Sequence, residues 1–348
     1  MIQQTLRRLV RRENLSEREA ADAVAAILSG EVPEALTGAF LAALAAKGET
    51  VEELTGAARA MRRHAARIQV TAPTVVDTCG TGGDGGGTFN VSTTTAFVVA
   101  GCGVTVAKHG NRSVTSRCGS ADLVEALGVR LEAPLEVVEE AVSAIGIGFL
   151  FAPRHHGAMR HAAPVRRALG IPTLFNLLGP LTNPAGADCQ LLGVNAPQLT
   201  ELFAEALLRL GSRRAFVVHG HDGLDEISVC APTRVTELDG RTIRTYDLDP
   251  QPFFGRLAAP GEIAGGGPAE NAAITRAVLA GERGARRDIV LLNAAAALQA
   301  AGRAGGWEEG LELAAEAIDS GAAADKLAAL ASFTAQGSAC APEQRHGR

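Results

Sequence analysis

The sequence predicts an α/β fold in two parts: a small all-helical N-terminal domain and a larger α/β domain with a mostly parallel central sheet. Three observations predict it. Residues 1–70 contain helix signals only, and strand-like and helix-like segments alternate after Pro73. The chain is also long enough, at 348 residues, for two domains. We expect the boundary between residues 72 and 73, with the α/β domain spanning 73–348.

The composition is that of an ordinary globular protein. Hydrophobic residues make up 47% of the chain, which excludes intrinsic disorder and provides for a large core. The formal net charge of −5 argues against broad nucleic-acid binding. Six cysteines without metal-ligand spacing indicate reduced thiols. With no signal peptide and no long apolar run, we expect a cytoplasmic protein without membrane contact.

The helical part has clear start signals. Ser16 with Glu19 and Thr50 with Glu53 each have the spacing of a capping box, in which side chains and backbone amides pair reciprocally. Pro33 suits the first turn of another helix. These signals predict at least three helices before residue 70.

The α/β part alternates between β-branched runs and helical segments. Ser120 is expected at a helix N-cap, with Asp122 in the first turn. The chain is mainly helical from about Asn271. The predicted strands are Thr74–Thr78, Val104–Lys108, Ile147–Phe151, Gln190–Val194 and Ala215–His219, and the first predicted helix of this part is Asn90–Gly101.

A glycine-rich loop, CGTGGDGGGTFNVST, follows the first predicted strand. Glycines let the backbone approach an anion closely, and the next helix contributes its positive N-terminal end. A phosphate-bearing ligand is expected here. Asp84 would face a pyrophosphate directly, which is chemically reasonable if Mg²⁺ screens the charges. A flexible turn without chemistry is the plain alternative.

The nominal GxGxxG at residues 80–85 raises the possibility of a nicotinamide-dependent dehydrogenase. The acidic residue expected about twenty positions later is missing, and apolar residues fill that interval. This alternative therefore depends on the glycines alone.

A second polar loop follows the next predicted strand, with the sequence AKHGNRSVTSRCGSADL. Lys108, Arg112 and Arg117 with several hydroxyls suit a multiply charged phosphate ligand. A solvated loop is the alternative for the cluster, and a satisfied core histidine is the alternative for His109 alone.

These strings together resemble the anthranilate phosphoribosyltransferase family. They are VAKHGNRSV…GSADLVEALG with GTGGD…FNVST upstream, and FAPRHHGAMRHAAPVRRALG, TLFNLLGPLTNP and HGHDGLDEIS downstream, in collinear order from about residue 5 to 335. The resemblance implies a nucleoside phosphorylase/phosphoribosyltransferase-like fold, with an inserted helical segment at about 165–185 joining the first domain. It implies transfer of the phosphoribosyl group of 5-phosphoribosyl 1-diphosphate (PRPP) to anthranilate, with release of pyrophosphate.

The resemblance also implies roles for particular residues. Arg166, Asn111 and Gly80 match anthranilate-contacting positions, and Ser92, Asp225 and Glu226 match the ligands of Mg²⁺, the implied cofactor. The matching PRPP positions are Gly80, Gly83, Asp84, Thr88, Asn90, Val91, Ser92, Thr93, Lys108, His109, Gly110, Asn111, Arg112, Ser113, Val114, Thr115, Ser116 and Ser120.

Two of these assignments have alternatives that the residues alone leave open. Asp225 and Glu226 offer hard oxygen ligands in a loop, but a single acidic pair is usually solvated. Arg166 could pair with a carboxylate, but Arg167 makes the choice ambiguous. His155 and His156 lack a third metal ligand, so we expect them in a hinge or substrate channel.

We expect catalysis to rest on positioning and charge stabilisation, because the aromatic amine is already nucleophilic. Lys108 is expected to neutralise the diphosphate or 5-phosphate, Asp84 to act with Mg²⁺, and His109 to orient the amine. The chain departs from the family pattern at Gly86 and Gly87, where lysine is common, at Gly157, where proline is usual, and at Thr115 and Cys118, where serine is common.

The resemblance further implies a homodimer and leaves a contact with anthranilate synthase open. Two rivals share the fold: a pyrimidine nucleoside phosphorylase, and a non-catalytic relative that binds nucleic acid. The second should have a basic surface and a broken magnesium site, and neither is evident in this sequence.

Overall fold

The computed structural model describes residues 2–339 apart from 84, 86, 114 and 115. Its centre is a seven-stranded sheet with the order β3-β2-β1-β4-β5-β6-β7. Strands β1 to β5 run parallel, whereas β6 and β7 form an antiparallel hairpin at one edge. The strands are β1 (Val75–Gly80), β2 (Thr105–Gly110), β3 (Ile147–Phe151), β4 (Cys189–Gly193), β5 (Arg214–Gly220), β6 (Thr233–Asp239) and β7 (Thr242–Leu248).

Helices cover the sheet and form a separate bundle at the N-terminal end of the chain. The bundle contains α1 (Ile2–Val10), α2 (Glu17–Leu28), α3 (Glu34–Lys47) and α4 (Val51–His64). The remaining helices are α5 (Val91–Gly101), α6 (Ser120–Ala126), α7 (Leu135–Ile145), α8 (Ala152–His155), α9 (Ala163–Leu169), α10 (Leu174–Leu177), α11 (Leu199–Leu210), α12 (Gln251–Phe254), α13 (Pro268–Leu279), α14 (Ala285–Ala300), α15 (Trp307–Asp319) and α16 (Ala322–Ala339).

Both predicted capping boxes are present and begin α2 and α4. Glu53 does more than cap its own helix, because its buried carboxylate also accepts from Leu15 N and from Lys47 Nζ, both at 2.8 Å. A buried carboxylate needs such partners to offset its lost hydration. The bundle is thereby tied together at one end.

The predicted α/β class and the parallel strands β1 to β5 are confirmed, with bounds that shift by at most two residues. One helix start is corrected. The N-cap of α6 is Gly119, and Ser120 is its first helical residue. The Asp122 carboxylate accepts from Gly119 N, the N-cap amide, at 2.9 Å, and Ser120 Oγ instead accepts from Asn111 N. The β6–β7 hairpin was not predicted.

Three chain segments pass between the helical bundle and the α/β part, and hydrogen bonds join them side by side. Ala66 N donates to His155 O at 2.8 Å, and His155 Nδ1 lies 2.7 Å from Ala66 O. Ile68 N donates to Pro184 O at 3.3 Å. Between the second and third crossings, α9 and α10 pack on α3. The exact domain bounds remain a prediction. Among the described residues, no helix is long and apolar enough to cross a membrane.

Candidate active site

Four parallel strands end in glycine at the same edge of the sheet. Gly80 of β1 and Gly193 of β4 are register partners, and a side chain on either would overlap Asp225. A side chain on Gly110 would overlap Ser120 and Phe149, and one on Gly220 would overlap Asp222. The requirement for glycine is strictest at Gly193, where an added side chain would meet the backbone oxygen of Asp225, whereas at the other three ends it would first meet side-chain atoms. The loops therefore converge at the carboxyl edge, where open α/β sheets bind ligands.

The carboxylates of Asp225 and Glu226 reach the glycine-rich loop and the helix that follows it. Asp225 Oδ2 accepts from Gly82 N at 2.8 Å, and Glu226 Oε1 accepts from Ser92 N at 2.9 Å. Ser92 lies in the first turn of α5. The fold thus brings together the three residues that the resemblance assigned to magnesium, although 132 residues or more separate Ser92 from the other two.

This group fits a hard cation by its chemistry. Two carboxylates and a hydroxyl offer oxygen donors beside a phosphate-type loop, and Mg²⁺ commonly uses one or two carboxylates together with waters and substrate phosphates. Within the described ranges, no three His, Cys, Asp or Glu side chains form a ready metal cage. Asp84, to which we assigned a role with the metal, lies outside the described residues.

The second polar loop has fewer available cations than its sequence suggested. Arg112 donates to Asp122 and Glu125 at 2.8 to 3.1 Å, and these carboxylates raise the pKa of its guanidinium. Asn111 is shaped by α6, because its N–H donates to Ser120 Oγ at 3.1 Å. Ser113 Oγ pairs with Ser116 Oγ at 2.9 Å. Val114 and Thr115 lie outside the described residues.

Lys108 is turned inward. Its side chain is 4% exposed and its ammonium donates to the carbonyl of Thr78 on β1. Next to it, Asp77 is fully buried and accepts from Asn183 Nδ2 at 2.8 Å and from His109 N at 3.1 Å. In this arrangement the Lys108 ammonium is held against the backbone of β1 and is turned away from solvent. Asp77 and Asn183 were missed at the sequence level.

His109 is buried and neutral. Burial foremost, and then the neighbouring His156 and His155, hold its pKa well below the usual value. Its Nδ1 lies 3.2 Å from Gly179 O, and a carbonyl can only accept, so Nδ1 carries the hydrogen. Its Nε2 has no hydrogen-bond partner in the described structure. The ring of His156 lies 5.1 Å away, and burial lowers the pKa of His156 to about 4.

The structure separates Arg166 from Arg167. Arg166 is half-buried, lies over the ring of Phe175 at 5.8 Å and donates to Asn176 Oδ1 at 3.3 Å, whereas Arg167 is exposed. Burial lowers the pKa of Arg166, and the guanidinium stays charged. An inward-facing cation beside an aromatic face suits an aromatic carboxylate.

The other predicted PRPP positions divide by orientation. Val91 and Thr93 are buried on α5, with 1% of each residue exposed. Gly83 has φ +82°, a conformation that favours glycine, and Thr88 forms an isolated bridge with Ala264. Asn90 is held through its side chain by Cys118 O and Asn271 Nδ2.

Comparisons with known proteins agree along the whole chain. Residues 72–324 match the family model "Glycosyl transferase family, a/b domain", and residues 3–65 match "Glycosyl transferase family, helical bundle domain". The chain is 66% identical over 334 residues to the anthranilate phosphoribosyltransferase of Syntrophobacter fumaroxidans, covering 96% of this chain and 99% of the relative.

Solved structures agree as well. The Thermus thermophilus anthranilate phosphoribosyltransferase superposes with a TM-score of 0.90 at 46% identity, covering 95% of this chain and 99% of that one. The Saccharomyces cerevisiae enzyme in complex with PRPP and Mg gives 0.88 at 31% identity, covering 96% and 98%. The yeast enzyme has also been solved with 4-fluoroanthranilate. Fold, strand-end loops and full-length similarity together show that this chain belongs to the anthranilate phosphoribosyltransferase family.

Proposed function

We propose that the phosphoribosyl transfer of this family, from PRPP to the amine of anthranilate, takes place at the carboxyl edge of β1, β2 and β4. The observation that carries this proposal is the contact of Asp225 and Glu226 with the glycine-rich loop and the first turn of α5. It puts two carboxylates beside the glycine-rich loop and a helix N-terminus, which supports binding of a diphosphate with Mg²⁺.

Ser92, Asp225 and Glu226 would hold Mg²⁺ in this scheme. When bound, the ion would neutralise the diphosphate as negative charge builds on the leaving group. The amide of Gly83 would add further stabilisation to the same oxygens, whereas the amides of Gly82 and Ser92 orient the two carboxylates. The buried Lys108 ammonium would contribute a fixed positive field from below, without needing to touch the phosphate.

Anthranilate would lie between the end of β2 and the segment that contains α9 and α10. Arg166 would bind its carboxylate, and Asn111 and the backbone at Gly80 would border its ring. His109 Nε2, with its lone pair directed away from Gly179, would accept a hydrogen bond from the amine and so direct the nitrogen lone pair towards the anomeric carbon. No strong general base is required, because the aromatic amine is nucleophilic when neutral.

Other features follow from the family resemblance alone. They are a homodimer through the helical domain, a cytoplasmic location and a contact with anthranilate synthase, and all three remain predictions.

The direct test is loss of anthranilate fluorescence on addition of PRPP and Mg²⁺, with and without EDTA. We expect loss that requires PRPP and stops on chelation. Loss that persists in excess EDTA would contradict the metal assignment. No loss with folded protein would contradict the transfer itself, and phosphorolysis of thymidine would then test the pyrimidine phosphorylase of the same fold.

A further inference from the structure

A directional chain of side-chain amides runs behind the glycine-rich loop. Gly266 N donates to Asn271 Oδ1 at 2.7 Å, Asn271 Nδ2 donates to Asn90 Oδ1 at 2.9 Å, and Asn90 Nδ2 donates to Cys118 O at 3.0 Å. Asn271 lies in the first turns of α13 and is 1% exposed. The chain joins three segments that are remote in sequence.

The two ends of this chain fix the orientation of both amides. Gly266 N can only donate, so it selects the Asn271 oxygen, and the Cys118 carbonyl can only accept, so it selects the Asn90 nitrogen. The central bond between the two asparagines is then the only one that satisfies both. Neither amide can flip without facing two donors or two acceptors towards each other.

One end of the chain supports the glycine-rich loop. Gly265 N donates to Gly87 O at 2.9 Å, and Thr88 pairs with Ala264 in an antiparallel bridge. A side chain at Gly265 would lie 2.5 Å from Phe89 N, so the two segments are in close backbone contact. The descending limb of the loop therefore rests on residues 263–266, which Asn271 anchors.

The other end holds the second polar loop. Cys118 lies two residues after Ser116, whose hydroxyl is 2.9 Å from that of Ser113. Cys118 also directly precedes Gly119, the N-cap of α6. Asn90 stands at the N-cap of α5. The amide chain thus spans the space between the start of α5 and the start of α6, where the two loops assigned to PRPP meet.

We propose that Asn271 is a positioning residue for PRPP binding, which couples the glycine-rich loop to the loop before α6 through Asn90. This inference rests on the proposed function, because it requires that both loops bind PRPP. Asn271 acts through Asn90 and the backbone of residues 263–266, without touching the substrate itself. Removal of the Asn271 amide would leave each loop attached to its own strand, but the two loops would no longer be held at a fixed distance from each other.

Asn271→Leu keeps the side-chain size and removes both amide bonds. We expect KM for PRPP to rise by about tenfold, the equivalent of losing one preorganising interaction. We expect KM for anthranilate to change less than KM for PRPP, because Arg166 is held by Asn176 and Phe175, away from the amide chain. Initial rates with one substrate varied and the other saturating would measure both.

Thr275→Val is the matched control. Thr275 lies one turn further along α13, is fully buried and shares a 3.0 Å hydrogen bond with Thr94 Oγ1 on α5. Its loss should reduce stability against urea in a similar way but leave KM for PRPP unchanged. If Asn271→Leu and Thr275→Val have the same KM for PRPP, Asn271 is only structural and the inference is wrong.

Asn271→Asp gives a second readout if the leucine variant does not fold. The carboxylate can still accept from Gly266 N, but it faces Asn90 Oδ1 without a hydrogen to donate. Burial at this 1% exposed position and the facing Asn90 Oδ1 should raise the pKa of the new carboxyl. Protonation restores that hydrogen, so the ratio of KM for PRPP in the variant to that in the parent should fall towards one as pH falls from 8 to 6. A KM for PRPP equal to that of the parent at every pH would overturn the inference.

Asp225→Asn separates this inference from the proposed function. If Asp225→Asn raises KM for PRPP and the Asn271 variants do not, only the positioning role fails. If neither change affects KM for PRPP, the assignment of the loops to PRPP is itself wrong.

Discussion

His109 shows how a single buried ring can be assigned a state from its surroundings. Its Nδ1 is committed to Gly179 O, its pKa lies well below the ordinary value, and its Nε2 has no partner in the described structure. A neutral ring with a lone pair on Nε2 can accept from the amine but cannot act as a titrating acid near neutrality. An ordinary catalytic histidine, by contrast, gains and loses a proton near neutral pH.

Replacing His109 by phenylalanine keeps an aromatic ring and removes the Nε2 acceptor. We expect kcat to fall by about tenfold, the effect of one lost hydrogen bond to the reacting amine. The parent enzyme should show no ionisation of this group in its kcat profile between pH 6 and 8. Stopped-flow or steady-state rates across that range measure both effects.

The control for this change is His221→Gln, which alters a half-exposed histidine bonded to Asp247 at 3.1 Å, on the β6–β7 side of the sheet. Its kcat should equal that of the parent. If the kcat profile of the parent shows an ionisation near pH 6.5 that is absent in His109→Phe, the His109 ring titrates normally, and its assignment as a permanently neutral group is wrong.

Prediction of single residues from the sequence succeeded where the residue type itself indicates the role, as for carboxylates. It was weak where the role depends on which way the side chain turns in the folded protein. The acidic pair at 225–226 and Ser92 were placed by resemblance, and the fold brings them together. Lys108 and Arg112 were expected to face phosphate, but the first donates to a buried carbonyl and the second to two carboxylates. Sequence spacing does not reveal which way a side chain turns.

At the scale of elements, the strand-end glycines determine how closely the loops can approach. Gly193 ends β4 against the backbone of Asp225, with no space for a side chain. The contact is with main-chain atoms, which cannot move aside as a flexible side chain can. The position of the acidic loop therefore depends on the absence of a single methyl group.

Gly193→Ala should displace Asp225 and weaken metal-dependent activity more than stability. We expect the Mg²⁺ concentration for half-maximal rate to rise by about tenfold or more, because a ligand held within a fraction of an ångström is moved. A titration of activity with Mg²⁺ measures this shift. Gly306→Ala, at a helix N-cap with open space around it, is the control and should leave the midpoint unchanged.

An unchanged Mg²⁺ midpoint in Gly193→Ala, with normal kcat, would mean that Asp225 does not hold the ion. A loss of folding would be seen as a lowered urea midpoint, and the Mg²⁺ titration would then be made on the fraction that remains folded. The two readouts therefore separate placement of the loop from stability of the sheet.

Element prediction succeeded for the parallel strands because each is a short, largely buried run, and β1, β2, β4 and β5 end in glycine. It failed for β6 and β7, although their sequence, TRVTELDGRTIRTYDL, contains a Gly240–Arg241 turn between alternating residues. Gly240 has φ +61°, as such a hairpin turn requires. The signal was present, but the hairpin breaks the β-α alternation that predicted the rest of the sheet.

At the scale of the whole molecule, three buried histidines lie where the domains meet. His109, His155 and His156 all have pKa values lowered by burial, so each is neutral when folded and takes up a proton on unfolding below pH 6.5. The unfolded chain then binds more protons than the folded one. The contribution of these three histidines to the free energy of unfolding is therefore fully present above about pH 6.5 and decreases as pH falls below it.

His156→Gln removes one of the three groups that take up a proton on unfolding. Between pH 6.5 and about 4, to which burial lowers the His156 pKa, the parent should lose about 1.4 kcal/mol per pH unit more than the variant. Urea unfolding at several pH values measures the difference, and titrating groups remote from His156 cancel between the two proteins. Parallel pH curves would mean that His156 is solvated when folded.

The two-part architecture and its order along the chain were predictable from the spacing of apolar residues. That spacing indicates helices alone before residue 70, and strands alternating with helices after Pro73. The three crossings between the parts were not. The Ala66–His155 pair and the Ile68–Pro184 bond join residues more than 85 positions apart, and no local pattern marks such pairing.

The packing of α9 and α10 on α3 has a consequence for synthesis of the chain. The first four helices are complete at residue 64, but the segments that cover α3 end only at residue 177. At typical rates of 5–20 residues per second, the ribosome needs roughly ten seconds to make the intervening stretch. During that time the nascent bundle has an apolar face without its partner, so the emerging chain must wait, or be shielded by a chaperone, until its own middle section arrives.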